Sequence, residues 1–299
     1  MITKLRNKWI NPVLDKEFRL RMRHVRSPLA IMFYLLAIGL VGLGYLYVST
    51  ASRSGGGAVG FDPSQSRALF YVLSIAQLIL VSFMTPGLTA GVVSGEREKQ
   101  TLNMLLTTQQ SSTTIILSKL VAALSFMLLV VIATMPLYAI VFLFGGVSPK
   151  QLLLVFLFYV FVMFVIGSFG ILFSTLLKRT MISVISTYGV TLFLFGGTGI
   201  IYLFLTQLIN RSSNYGSAGA KAYEWTGFVL ALNPIAALIS VFESDFSDSV
   251  FRGGSGSQHA APLQLWQIFG IVFTVLAVLA LLLSIRYIRP VLKKHKKVA

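Results

Sequence analysis

The 299 residues include no cysteine, which excludes disulfides, thiolate metal sites and palmitoylation. Acidic residues are nearly as scarce, nine against 25 lysines and arginines. The three histidines, His24, His259 and His295, all lie outside the apolar runs, so no His/Glu/Asp metalloprotease constellation can form at membrane depth. No GxxxxGK[ST] phosphate loop occurs, so the chain cannot use ATP alone. No long polar segment is available to build a separate soluble domain. Serines and threonines inside the apolar runs (Ser74, Ser82, Thr134, Ser168, Ser183, Thr187) have no nearby His or Lys to act as base, so they read as helix-to-helix hydrogen bonders rather than nucleophiles. Catalytic residues and metal ligands are therefore not expected.

What is present is apolar. Hydrophobic residues make up 56% of the chain, charged residues 11%, and mean hydropathy is +0.81, against roughly 25% charged in soluble domains. Six runs, 29–48, 68–93, 114–144, 152–177, 181–208 and 265–285, are long enough to cross a bilayer, which takes about 20 residues. The third is overlong and is expected to start in the interface near Lys119 and bend at Pro136. The first is too long for a secretory h-region and reads as an uncleaved span.

Lysine and arginine give the orientation. Residues 1–28 carry eight, the tail 286–299 carries six, and Arg97, Lys99, Lys119, Lys178 and Arg179 follow the second and fourth runs. Only Arg53, Arg67, Lys150, Arg211, Lys221 and Arg252 fall on the other side. This predicts a multi-pass plasma-membrane protein with both termini cytoplasmic. The +16 net charge sits at run ends, not on one face, and does not call for nucleic acid. A short apolar stretch, 226–242, is interrupted by Asn233-Pro234 and reads as a segment dipping into the membrane before the last span. The predicted organisation is an all-α polytopic protein: a cytoplasmic N-terminus (1–28), a six-helix transmembrane domain (29–285) with an external loop (209–264), and a basic tail (286–299).

Two cytoplasmic elements stand apart. Residues 11–26 open with Asn11-Pro12, an N-cap followed by proline at the first helical position. Leu14, Phe18, Met22 and Val25 share one face, with Lys16, Arg19, Arg23 and Arg26 opposite. Such a basic amphipathic helix lies in the interface against anionic lipid headgroups. Segment 94–112 is the only sizeable cytoplasmic loop between spans. It combines Glu96, Arg97, Glu98, Lys99 and Thr101 with an apolar stripe of Leu102, Leu105 and Leu106, and suits docking of a partner protein. Before it, Gly87, Gly91 and Gly95 form overlapping GxxxG spacings, a helix-packing pattern serving the subunit's own interior or a dimer.

In their order these elements resemble the membrane subunits of ATP-binding-cassette transporters, in the type-2 permease superfamily of exporters. Residues 11–26 are similar to the family's elbow helix. Residues 91–122, with their Gly-Glu pair and Thr-Leu-x-x-Leu-Leu run, resemble the coupling helix that contacts the ATPase. Residues 170–186, Leu232-Asn233-Pro234 and 286–289 are also similar. The resemblance implies two permease subunits, identical or paralogous, with two nucleotide-binding subunits that hold ATP and Mg. It casts the residues of 96–106 as the ATPase-coupling set.

The expected function is a permease driven by a separate ATPase. Its pathway would follow apolar surface on the second and fifth spans at the dimer interface, which suits lipid-like, amphipathic or peptide cargo. Two alternatives stand beside it. A membrane scaffold or sensor would use the same docking segment without transport, and a neighbouring gene for a Walker-motif ATPase would separate the two. An autonomous carrier is disfavoured by spans lacking ionisable residues at mid-membrane.

Overall fold

The computed structural model describes residues 26–51, 63–101, 111–143, 145–212, 225–252 and 263–288. The predicted interfacial helix lies outside them apart from Arg26, as do Leu102, Leu105 and Leu106 of the docking stripe. Among the described residues the fold is all-helical, without strands.

The helices in chain order are α1 (Arg26–Ala51), α2 (Pro63–Thr89), α3 (Ser94–Glu98), α4 (Ser112–Ala133), α5 (Met135–Leu143), α6 (Pro149–Leu176), α7 (Thr180–Leu192), α8 (Thr198–Ser212), α9 (Trp225–Ala231), α10 (Pro234–Phe242), α11 (Ser244–Arg252) and α12 (Leu265–Tyr287). A π-helical turn, Phe193–Gly197, joins α7 to α8. Six candidate spans result: α1, α2 with α3, α4 with α5, α6, α7 with α8, and α12. Their number matches the six apolar runs.

Local chemistry explains the boundaries. α6 opens with a capping box in which Ser148 and Gln151 satisfy each other's backbone N–H, with Pro149 at the first helical position. α4 is capped by Ser111 Oγ, which accepts from Thr114 N–H at 3.2 Å. The third span breaks at Thr134, two residues before the expected bend at Pro136. Proline cannot donate to the carbonyl four residues back and crowds the preceding turn, so the interruption falls upstream of the ring. α9 and α10 meet at 96°, a right-angled corner at Leu232-Asn233-Pro234.

α6, the fourth span, is the hub. The second, third, fifth and sixth spans and α10 all pack on it. Its Val155, Tyr159, Val162 and Met163 join a core with Leu73, Leu78, Met127, Val130 and Phe273. A second cluster (Val93, Ile115, Ile116, Leu120, Ile171, Leu281) closes the lysine- and arginine-rich end, and a third (Leu230, Ala231, Val250, Phe251, Leu265) closes the opposite end. Helix approach is tightest at Gly170, where an added Cβ would lie 2.1 Å from Thr89 Oγ1 and 3.3 Å from the Ala90 nitrogen. The first and fifth spans are mostly uncovered.

Candidate functional site

The basic end of the bundle concentrates the chain's polar chemistry. The second span emerges through a turn at Ala90–Val93 into α3, a helix of barely more than one turn. Gln100 then takes φ +58°, and the Gln100 and Thr101 N–H groups return to the Arg97 and Glu96 carbonyls at 3.1 and 3.0 Å. This is a Schellman stop with glutamine where glycine is usual, so the segment turns sharply at some backbone cost.

Each charged residue of α3 is tied to a different span. Glu96 forms an ion pair with Lys119 of α4, whose side chain is only 2% exposed. Buried ammonium requires such a partner, because desolvation outweighs any weaker contact. Arg97 donates from Nη2 to the Thr175 carbonyl of α6 at 3.1 Å. Glu98 accepts from the Thr180 N–H at 2.7 Å and from its hydroxyl at 2.8 Å. Arg179, the N-cap position of α7, makes no side-chain cap bond. Glu98 therefore caps the fifth span from another element, with a carboxylate at the positive end of the helix dipole. Lys99 and Thr101 are exposed.

Backbone contacts reinforce these ties. Ser174 Oγ of the fourth span accepts from the Val93 and Ser94 N–H groups at 2.9 and 3.0 Å. Ser183 Oγ of the fifth span donates to the Ala90 carbonyl at 2.6 Å. The three glycines of the second span face this fifth-span helix. Added Cβ atoms would meet Tyr188 Oη at 3.3 Å from Gly87, and Thr180 at 3.2 Å from Gly91 and 3.9 Å from Gly95.

Sequence reasoning missed several participants. Thr180 and Ser174 receive the segment, yet they read as ordinary small polar residues, whereas Ser183 and Thr134 bond across elements as expected. The membrane interior holds Gln77, which donates from Nε2 to Thr134 Oγ1 at 2.9 Å, and Tyr159, which donates to the Ser74 carbonyl at 3.0 Å with Tyr138 Oη 3.3 Å away. A lone amide within an apolar run was the available signal for Gln77. The hydroxyls of Ser168 and Thr187 bond to carbonyls of their own helices, not to neighbours as expected. Ser74 and Ser82 Oγ are buried with no partner among the described residues.

Six apolar spans, one of them a central hub, with a polar turn braced against three of them at one end, define a multi-pass membrane protein. The chain belongs to the ABC-2 family of transporter proteins, whose family model matches residues 12–289. It is thus a permease subunit of an ABC transporter, a membrane component of a family that works with ABC ATPases. No curated protein matches it significantly.

Proposed function

We propose that this chain is the membrane half of an exporter in the plasma membrane, driven by a separate cytoplasmic ATPase that docks on residues 94–112. Both termini lie on that cytoplasmic side, and residues 11–26 rest on the headgroups beside it. ATP and Mg stay on the partner. The observation that carries this is the three-way bracing of α3: Glu96 to the third span, Arg97 to the fourth and Glu98 to the fifth. A push on the segment is passed to three spans at once. Because these three side chains are engaged internally, they transmit force, while Leu102, Leu105 and Leu106 supply the docking contact.

The cargo is lipid-like, amphipathic or peptidic, and a second permease subunit, identical or paralogous, completes the pathway. The fifth span supports this with an exposed apolar stripe of Ile182, Ile185, Phe193, Ile200 and Phe204. Phe83 of the second span stands at its edge, its ring 6.3 Å from that of Tyr188. Hydrophobic walls desolvate small ions at high cost but accept acyl chains and apolar side chains.

The test is co-purification and reconstitution with the cognate ATPase. Leu105→Asp should abolish capture of the ATPase. Glu98→Ala should leave capture intact but lower export per ATP hydrolysed several-fold. Unchanged export after deletion of the ATPase would refute the reading.

A further inference from the structure

The fifth span carries a surplus residue. In the Phe193–Gly197 turn the Thr198 N–H donates to the Phe193 carbonyl five residues back. A π turn inserts one residue, and the return to α spacing leaves a carbonyl without a donor from its own helix. Within a membrane that carbonyl needs another partner. Side-chain donors meet this stretch: Asn233 Nδ2 donates to the Phe195 carbonyl at 2.9 Å and to Thr198 Oγ1 at 3.1 Å. Thr198 Oγ1 in turn donates to the Leu194 carbonyl at 2.6 Å.

Asn233 is 5% exposed, and its amide is fully used. Its Oδ1 accepts from the Ile235 and Ala236 N–H groups at 2.9 and 3.3 Å, capping α10 at the right-angled corner. Serine, threonine or aspartate would cap equally well. Only asparagine caps at this length and also presents two donors to the fifth span. Capping alone therefore does not account for the residue.

We infer that Asn233 is a positioning residue that sets the helical register of the fifth span beyond Gly197. Donation to the Phe195 carbonyl and to Thr198 Oγ1, which itself serves the Leu194 carbonyl, holds the surplus residue in the π turn. Withdrawal of that donor lets the turn relax to α spacing and rotates α8 by one residue, about 100°. Ile200, Leu203 and Phe204 would then turn by that angle relative to Ile182 and Ile185. Movement of the corner and rotation of the far half of the fifth span become a single event. This goes beyond the export reading and stands apart from it, because register can be measured whether or not cargo moves.

The cysteine-free chain suits a cross-linking test. Tyr202 packs against the cluster containing Leu230, Ala231 and Ala236. Cysteines at 201, 202 or 203, each paired with one at 236, are treated with a short bis-maleimide in native membranes holding the full-length chain. The 202–236 pair should react most strongly when Asn233 is present. Asn233→Ser keeps the cap but withdraws the donor, and the optimum should move to 201, which takes the place vacated when the turn relaxes. Deleting Gly196 in the serine variant removes the surplus residue and should return the optimum to 202. An optimum that stays at 202 in Asn233→Ser overturns the inference. So does loss of all three cross-links in a monodisperse variant, since Asn233 would then hold the corner without fixing the register. Should the serine variant fail to accumulate, Asn233→Asp, which also keeps the cap and lacks the amide donors, takes its place: an optimum at 201 supports the inference and one at 202 overturns it.

Discussion

The fourth and fifth spans follow one another in the chain and are nearly equal in length, 28 and 30 residues, yet 56% of the best apolar window is buried in the fourth and 6% in the fifth. Hydrophobicity does not separate them, since both exceed what membrane insertion needs. Small and polar groups do. The fourth span brings Gly167 and Gly170 against neighbouring helices and buries Tyr159 with its hydroxyl bonded. The fifth is held to its own chain at one end by Glu98 and Ser183 and at its middle by Asn233. Along the rest of its length it shows large apolar side chains outward. In lipid, where tails are as apolar as leucine, helix contact is decided by close packing and hydrogen bonds. The fourth span is built to stay where it is, and the fifth is built to be held at one end and at its middle.

The largest effect is expected at Gly170. Valine there would place its Cβ within 2.1 Å of Thr89 Oγ1 and close to the Ala90 backbone, which cannot yield as a flexible side chain does. Overpacking of this kind costs about 3 kcal/mol. Gly170→Val should therefore lower the detergent melting temperature sharply, with part of the loss recovered by Thr89→Ala.

Gly170 also marks where sequence reading stopped. The six spans, the helical class and the polar turn after the second span were legible, because apolar run length and lysine/arginine bias are properties of the chain alone. The GxxxG spacing drew attention to Gly87, Gly91 and Gly95, whereas the closest backbone approach falls on Gly170, outside that pattern. Spacing within one helix cannot say which helix will face it. The destinations of Glu96, Arg97 and Glu98 were hidden for the same reason. Their partners lie 23, 78 and 82 residues away along the chain, so an acidic pair that suggested a docking surface proves to be engaged within the subunit. The π turn was equally invisible, since Phe193–Gly197 reads as ordinary apolar helix until Asn233 is placed beside it.

Smaller effects sharpen the contrast. Tyr159→Phe in the fourth span removes the donor to the Ser74 carbonyl and should cost about 1 kcal/mol, within the range for single polar contacts between membrane helices. Ser183→Ala in the fifth removes the bond to the Ala90 carbonyl and should cost about 0.6 kcal/mol. The Ala90 carbonyl keeps Ser94 Oγ as a second donor at 3.3 Å, so less is lost. Thermal melts of the two variants side by side rank the spans by how tightly they are tied in.

The smallest effect on the chain itself is expected at Gly189, and it is the most informative. Nothing lies within 4 Å of a Cβ built there, and the residue is exposed on the same stripe as Ile182, Ile185 and Phe193. Alanine replaces a poor helix former with a good one, so Gly189→Ala should stabilise the isolated subunit by about 0.5 kcal/mol. If lipid alone covers the stripe, a larger side chain such as leucine should be tolerated as readily. If a second permease packs there, Gly189 is where its backbone can approach most closely, and leucine should dissociate the pair while leaving the subunit's melting temperature intact. Size-exclusion chromatography with light scattering on Gly189→Leu, read beside its thermal melt, distinguishes the two outcomes. A stable monomer with a native melt is expected, which would make the bare face of the fifth span an unfinished interface.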